Sequence, residues 1–550
     1  MHSTDIQTWS IDKLDAPRVW GERPAIFEFI QDYVRERAEA GESPVPTLFE
    51  LPDEPKRGRG GVRWAAGALD GVMGRHGQVE DERLRAKQIV KGIRDLLAET
   101  TPANLEHLTR LLARAPVLGV LDDVLAELVG DGNGNGELDP ERFHELALFL
   151  VQAAPERELV KLGISMLGVL VGCDEHETLL TIGRHEEFTL FSAVALASTL
   201  EQPDLQLWEL AKSVRGWGRI HAVERLVDSV NPEIRAWLLR QGYRNEIMDE
   251  YLAYSCAVAG DLAGALEADI VDDALLDGAA GIFAGLLNGG PAEDIEDYEQ
   301  APRAAEAYLR HLVRRPEHRP LDLAHLLVAE QLREFIGPVG ESLDDDDVLR
   351  ELGWTLEIRA RVLDMCERFA ARPGWAEAVA EGLEVESLEH FHQADAAAQL
   401  LDIDAWPHHL RRVQADPGRS PSWFRLVQTE DDARFEQALA LARELLPLDK
   451  IATGPAQEVG LGPEWDVHDT LLVVAQSLVD RPGRGVDLID AALQSPVTRV
   501  RRGALLVLAS WLHDGGDAEP PAEVHELLER AAEREVDEEL AADIAKVIQG

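Results

Sequence analysis

The chain has 550 residues, with 102 Asp and Glu against 54 Lys and Arg, a formal net charge of −48 and a sequence pI near 4.6. Hydrophobic residues make up 45%, which rules out wholesale disorder, and the length suits about three or four domains or one long repeat array. Nucleic acid and anionic membrane surfaces are excluded as main partners, because both require clustered Lys and Arg.

From the N-terminus, Met1-His2-Ser3-Thr4-Asp5 lacks the basic-then-apolar order of a signal peptide. Residues 1–80 read as an irregular region punctuated by Pro17, Pro24, Pro44, Pro46, Pro52 and Pro55, with one helix expected near 25–40. The basic run KRGRGGVR (56–63) reads as a solvated loop or as a phosphate or acidic-partner site. After about residue 80, apolar residues recur at helical spacing, as in Leu108, Leu111 and Leu112, or Leu146, Leu148, Phe149 and Val151. Prolines fall at the seams (Pro102, Pro116, Pro140, Pro155, Pro203, Pro232, Pro302), where a helix starts or the preceding one stops. Aromatics are only 6%, no alternating strand pattern is visible, and the expected fold class is all-α. Serial helices joined by tight turns suggest an α-solenoid of helix pairs: a central helical-repeat domain over 81–336, a second helical segment over 348–446 and C-terminal repeats over 464–550. The breaks lie at 337–347, with the acidic run 344–347, and at 447–463.

Residues 131–143, DGNGNGELDPERF, place Asp131, Asn133, Asn135, Glu137 and Asp139 where a calcium-binding loop carries its oxygen ligands. The twelfth position is Arg142, which has no acceptor to offer. The stretch therefore reads as a Gly/Asn turn with Pro140 opening the next helix, or as a weak Ca²⁺ loop. No other cofactor is expected. Four His-Glu dipeptides occur, at His144, His176, His185 and His525. They are similar to the pairs that hold two irons in HEAT-type hydroxylases that modify a lysine, but lack the symmetric spacing of that arrangement.

Residues 205–256 concentrate aromatics with Arg and His. Trp217, Arg219, His221 and Glu224 fall at helical spacings, and Tyr243, Tyr251 and Tyr254 follow. The cluster reads as a binding surface or as a tightly packed core. Three scattered cysteines, Cys173, Cys256 and Cys366, give no disulfide framework and fit a reducing cytoplasm. No stretch approaches about 18 uninterrupted apolar residues, so no membrane span is expected.

Near the C-terminus, 485–494 and 497–513 are expected to pair as helices about Ser495-Pro496, with Val497, Val500, Ala504, Leu505, Leu508 and Trp511 on one face. The stretch SPVTRVRRGALLVLASWL resembles the second half of a HEAT repeat. A weaker copy follows over 521–548, with Val500 matched by Leu540 and Val507 by Val547. The segments RWAAGALDGVMGRH (63–76), GRHEEFTLFSAVAL (183–196), GWGRIHAVERL (216–226), YRNEIMDEYLAYSCA (243–257) and NGGPAEDIEDY (288–298) resemble an uncharacterised prokaryotic HEAT-like helical family. Its members are sometimes automatically labelled limonene hydroxylase. That label implies a monooxygenase, whereas the residues show no haem-cysteine context, flavin fingerprint or facial triad, and the resemblance supplies no catalytic residues. The expected function is a non-enzymatic scaffold or adaptor for a protein or peptide partner, basic if the acidity has a role. A metal-dependent hydroxylase and a Ca²⁺-binding structural protein are the alternatives.

Overall fold

The computed structural model describes residues 9–41, 49–54, 65–68, 70, 82–130, 139–170, 174–316, 318–337, 343–418, 421–513 and 522–549, the side chains of 343–346, 513 and 522 excepted. Among these residues the fold is all-α. No strand forms, and an isolated parallel bridge joins Glu458 to Val497. The chain divides after Pro373 into two compact units, a point inside the segment expected at 348–446.

Helix starts follow local chemistry. Pro102, Pro140 and Pro232 open helices whose caps are Thr101, Asp139 and Asn231, each accepting a backbone N–H from the first turn. Asp272, Thr355 and Asp431 cap later helices in the same way. The helix expected near 25–40 spans Ile26–Glu39. Residues 344–347 lie within the Leu343–Glu351 helix.

In the first unit, alternate helices form a continuous row. Glu82–Ala98 packs on Leu118–Val129, which packs on Arg157–Gly168, and the contacts continue through Glu186–Thr199, Gly216–Val223, Glu250–Gly260, Asp273–Asn288, Leu323–Ile336 and Leu356–Ala370. The intervening helices flank that row, Pro140–Ala153 against Arg157–Gly168 and Asp204–Ser213 against Gly216–Val223. The helices of the row therefore bury one stripe against the next helix but one, and some, such as Arg157–Gly168 and Gly216–Val223, bury another against a sequence neighbour. Leu108, Leu111 and Leu112 are buried, as are Leu146 and Val151, while Phe149 stacks on Trp20 with ring centroids 5.5 Å apart. Fully burying such a Leu side chain stabilises the fold by about 2 kcal/mol.

The second unit repeats the pattern at its end. Val486–Leu493 packs on Thr498–His513 and Ala522–Arg534 on Glu538–Gln549, and the members of the first pair each pack on the next helix but one. Val497, Val500, Ala504, Leu505, Leu508 and Trp511 are all buried, and the Trp511 indole N–H donates to the Leu478 carbonyl at 2.8 Å. Leu540 is fully buried and Val547 packs against the same core, so both positions matched by sequence face inward.

Candidate functional site

The Arg157–Gly168 helix is buried from Leu159 to Leu167, and Lys161 is carried inside with it, only 2% exposed. An ammonium taken from water must be paired. Asp70 Oδ2 lies 2.6 Å from its Nζ, Glu187 Oε1 2.7 Å and Glu158 Oε1 3.3 Å. Glu187 stands in the first turn of the adjacent Glu186–Thr199 helix and also accepts the Gly67 N–H at 3.3 Å. Glu158 accepts the Val117 N–H at 2.6 Å. Arg157 holds Asp53 with Nε and Nη2 at 3.0 Å each, reaches Glu54 at 2.6 Å, and lies 3.5 Å from Glu187.

Five carboxylates thus face two cations, and the three around Lys161 are shifted in different directions. Burial pushes Asp70 above the usual carboxylate range despite Lys161, with Glu187 adding to the rise. Glu158 is raised the same way, against Lys161 and the Val117 N–H. Glu187 is also buried, but Lys161, Arg157 and the Gly67 N–H together hold it below the usual range. Burial opposes the charge on Lys161, but Glu158, Glu187 and Asp70 outweigh it, so the ammonium is kept. Asp70 Oδ1 has no hydrogen-bond partner among the described residues. His185 caps the Glu186–Thr199 helix: its Nδ1 accepts the Glu187 N–H at 3.2 Å, which leaves Nε2–H to donate to the Phe49 carbonyl at 3.0 Å.

Glu186 is the next layer. It accepts the Trp217 backbone N–H, and burial together with Glu246 pushes it up to about 8, against that hydrogen bond and Arg215. Two glycines permit the approach. Gly67 has φ +72°, and a Cβ there would lie 2.7 Å from the Glu186 carbonyl and 3.2 Å from Trp217 Cβ. Gly216, at φ +51°, would drive a Cβ into the Glu186 carboxylate. Trp217 follows, half-buried, its ring 5.3 Å from Tyr251 and 6.1 Å from His221. His221 is buried, with Nδ1 3.8 Å from Glu224 and Nε2 lacking a hydrogen-bond partner, and it acts electrostatically on the Asp70 carboxyl.

The structure therefore gathers Trp217, His221, Glu224 and Tyr251, and sends the other residues of that cluster elsewhere. Arg219 donates to the carbonyls of Ala211 at 3.0 Å and Gln241 at 2.9 Å, and lies over the Trp237 ring at 4.8 Å. Tyr243 is 1% exposed, against Gly281, and its hydroxyl accepts from Arg244 Nε at 3.0 Å. Tyr254 is half-buried on the same helix as Tyr251. Of the calcium-like loop, Asp131, Asn133, Asn135 and Glu137 lie outside the described residues. Asp139 caps the Pro140–Ala153 helix, accepting the Glu141 N–H at 3.0 Å and the Arg142 N–H at 3.4 Å. The 56–63 run and Cys173 also lie outside them; Cys256 and Cys366 are free and buried. His144 meets Glu175 at 3.3 Å, and none of the His-Glu pairs joins a three-ligand group among the described residues.

Asp70, Lys161 and Glu187 were not singled out from sequence, and Glu186 only as part of the His185-Glu186 dipeptide. The available signal was a lysine inside an apolar run, ELVKLGISML, in a chain where lysine is scarce. Gly67 and Asp70, Glu186 and Glu187, and Trp217 and His221 come from three of the segments that carry the family resemblance. A groove of about 470 Å³, lined by Val230, Arg235, Leu239, Asp261, Ile270 and Leu275, opens among the next helices, and Val230 and Ile270 are 87% and 89% exposed. No helix among the described residues is long and apolar enough to cross a membrane. No family model matches the chain, and neither does any curated protein.

Proposed function

We propose that the chain is an α-solenoid of HEAT-like helix pairs acting in the cytoplasm as a non-enzymatic scaffold for a protein or peptide partner that presents a basic side chain. The row of alternate helices, each packed on the next but one, supports the solenoid reading. The partner's chemistry rests on one observation: Trp217, whose ring pairs with Tyr251, donates its backbone N–H to Glu186, whose charge is suppressed by burial and by Glu246. A guanidinium or ammonium placed there gains the ring faces and adds positive charge beside Glu186, where Arg215 is shared with Glu246.

The test is a peptide array read by isothermal calorimetry on the full chain. Arg- and Lys-containing peptides are expected to bind, and Trp217→Ala with Tyr251→Ala to weaken them at least tenfold. Binding should tighten from pH 6 to pH 9, because an ionised Glu186 attracts the cation. Equal affinity for acidic peptides, or full affinity in the double variant, would remove the reading.

A further inference from the structure

The Asp273–Asn288 and Leu323–Ile336 helices pack together and gather Asp277, Asp322 and His325 at their contact, one ligand atom of each lying within 4.8 Å of the others. Asp322 caps the second helix with one carboxylate oxygen, accepting the Ala324 N–H at 2.9 Å. His325 follows three residues later, so both face the same turn. The imidazole is 1% exposed and its Nδ1 is hydrogen-bonded to the Tyr308 hydroxyl at 2.7 Å. Its Nε2 is buried and has no hydrogen-bond partner, although Asp277 Oδ1 lies 3.3 Å away. Both carboxylates are exposed, and neither is paired with Arg or Lys among the described residues. Nearby Arg315 and Arg319 are engaged on Asp273 at 2.7 and 3.0 Å.

We propose that Asp277, Asp322 and His325 bind a divalent transition-metal ion of the zinc or manganese type, through His325 Nε2 and one oxygen of each aspartate, with water completing the shell. An ion satisfies the orphaned nitrogen. Ligand atoms bonded at about 2.0–2.1 Å lie roughly 3–3.5 Å apart, which the Nε2–Asp277 separation already matches, and the exposed carboxylates close the rest by rotation. The imidazole favours a transition metal such as zinc over calcium or magnesium, and the two carboxylates admit manganese. Coordination needs the Nε2 lone pair, so the ring proton resides on Nδ1 and is donated to Tyr308 Oη. Burial keeps Tyr308 a neutral phenol that fixes the ring from behind.

The experiment takes the full chain, strips it with chelator and titrates Zn²⁺, Mn²⁺ and Mg²⁺ by calorimetry, with thermal melts alongside. We expect one saturable Zn²⁺ per chain, a higher Tm with Zn²⁺, no saturable Mg²⁺, and at least tenfold weaker Zn²⁺ binding in Asp277→Asn. Because Asp277 is exposed, that variant should melt like wild type without metal, so it decides the matter even if His325→Gln fails to fold. Absence of one-to-one Zn²⁺ binding, or unchanged binding in Asp277→Asn, would overturn the site.

Discussion

Each compact unit buries a cation against carboxylates, Lys161 in the first and Arg501 in the second, and these two are neutralised differently. Arg501, in the second unit, is 1% exposed and grips Glu535 with Nε and Nη2 at 2.8 and 2.6 Å, while Nη1 serves the carbonyls of Ala456 and Ser495 at 2.9 Å each. One cation meets one anion with its donors in use, and although burial opposes the charge, Arg501 and the backbone N–H groups of Asp537 and Val536 hold Glu535 below the usual range. Around Lys161 and Arg157, carboxylates exceed cations: burial drives Asp70 and Glu158 up despite Lys161, while Lys161 and Arg157 hold the buried Glu187 down. A matched pair fixes a helix in place. An unmatched cluster holds groups in abnormal protonation states, as functional sites do.

The most severe test of that contrast is Lys161→Met. It leaves Asp70, Glu158 and Glu187 buried without their ammonium and should cost about 3–5 kcal/mol in urea unfolding. The deficit should shrink as pH falls, since burial raises Asp70 and Glu158 and a protonated carboxyl needs no cation. A loss that does not depend on pH would place Lys161 with Arg501 as a simple pair. Arg501→Met alone should cost about 3 kcal/mol, and adding Glu535→Leu should return stability to within about 1 kcal/mol of wild type. The parallel double variant, Lys161→Met with Glu187→Leu, should not recover, because Asp70 and Glu158 remain. Recovery there would erase the distinction.

Glu186 gives a smaller, pH-dependent effect. Its folded pKa lies above its unfolded value, so the folded state binds the extra proton and stability falls as pH rises from about 4.5 to about 8. Glu186→Gln cannot ionise. It should be neutral in thermal and urea unfolding at pH 5 and stabilise by on the order of 2 kcal/mol at pH 9. No gain at pH 9 would mean that Glu186 is ionised without penalty. At the bottom of the scale, the solvent-facing Arg443–Asp487 pair, with contacts of 2.7 and 2.8 Å, should change stability by less than about 0.5 kcal/mol in Arg443→Ala.

Much of the fold was legible because helix signals are local. Pro102, Pro140 and Pro232 mark starts through their fixed φ, and the Leu108–Leu112 and Val497–Trp511 stripes mark the buried faces by period alone. The site was legible in part. Trp217, His221 and Tyr251 drew attention as a cluster of aromatics and His, but the same spacing grouped Arg219 and Tyr243 with them. Helix geometry turns Arg219 toward Trp237 and sinks Tyr243 against Gly281. The Lys161 cluster left little trace, since its partners Asp70 and Glu187 stand 91 and 26 residues away. A carboxylate that far off in sequence looks like any of the many solvated acids of this chain.

By itself, the sequence determined the all-α class, the positions of many helix starts and the faces that turn inward, because propensity, capping and periodicity act over a few residues. Tertiary structure alone decided which acids are buried, which cations they meet and how their protons divide. Those properties depend on desolvation and on distances between helices that no spacing along the chain encodes. The net charge of −48 is the clearest case: its sum follows from composition, but only packing separates Asp70, Glu158, Glu186 and Glu187 from the acids that face water.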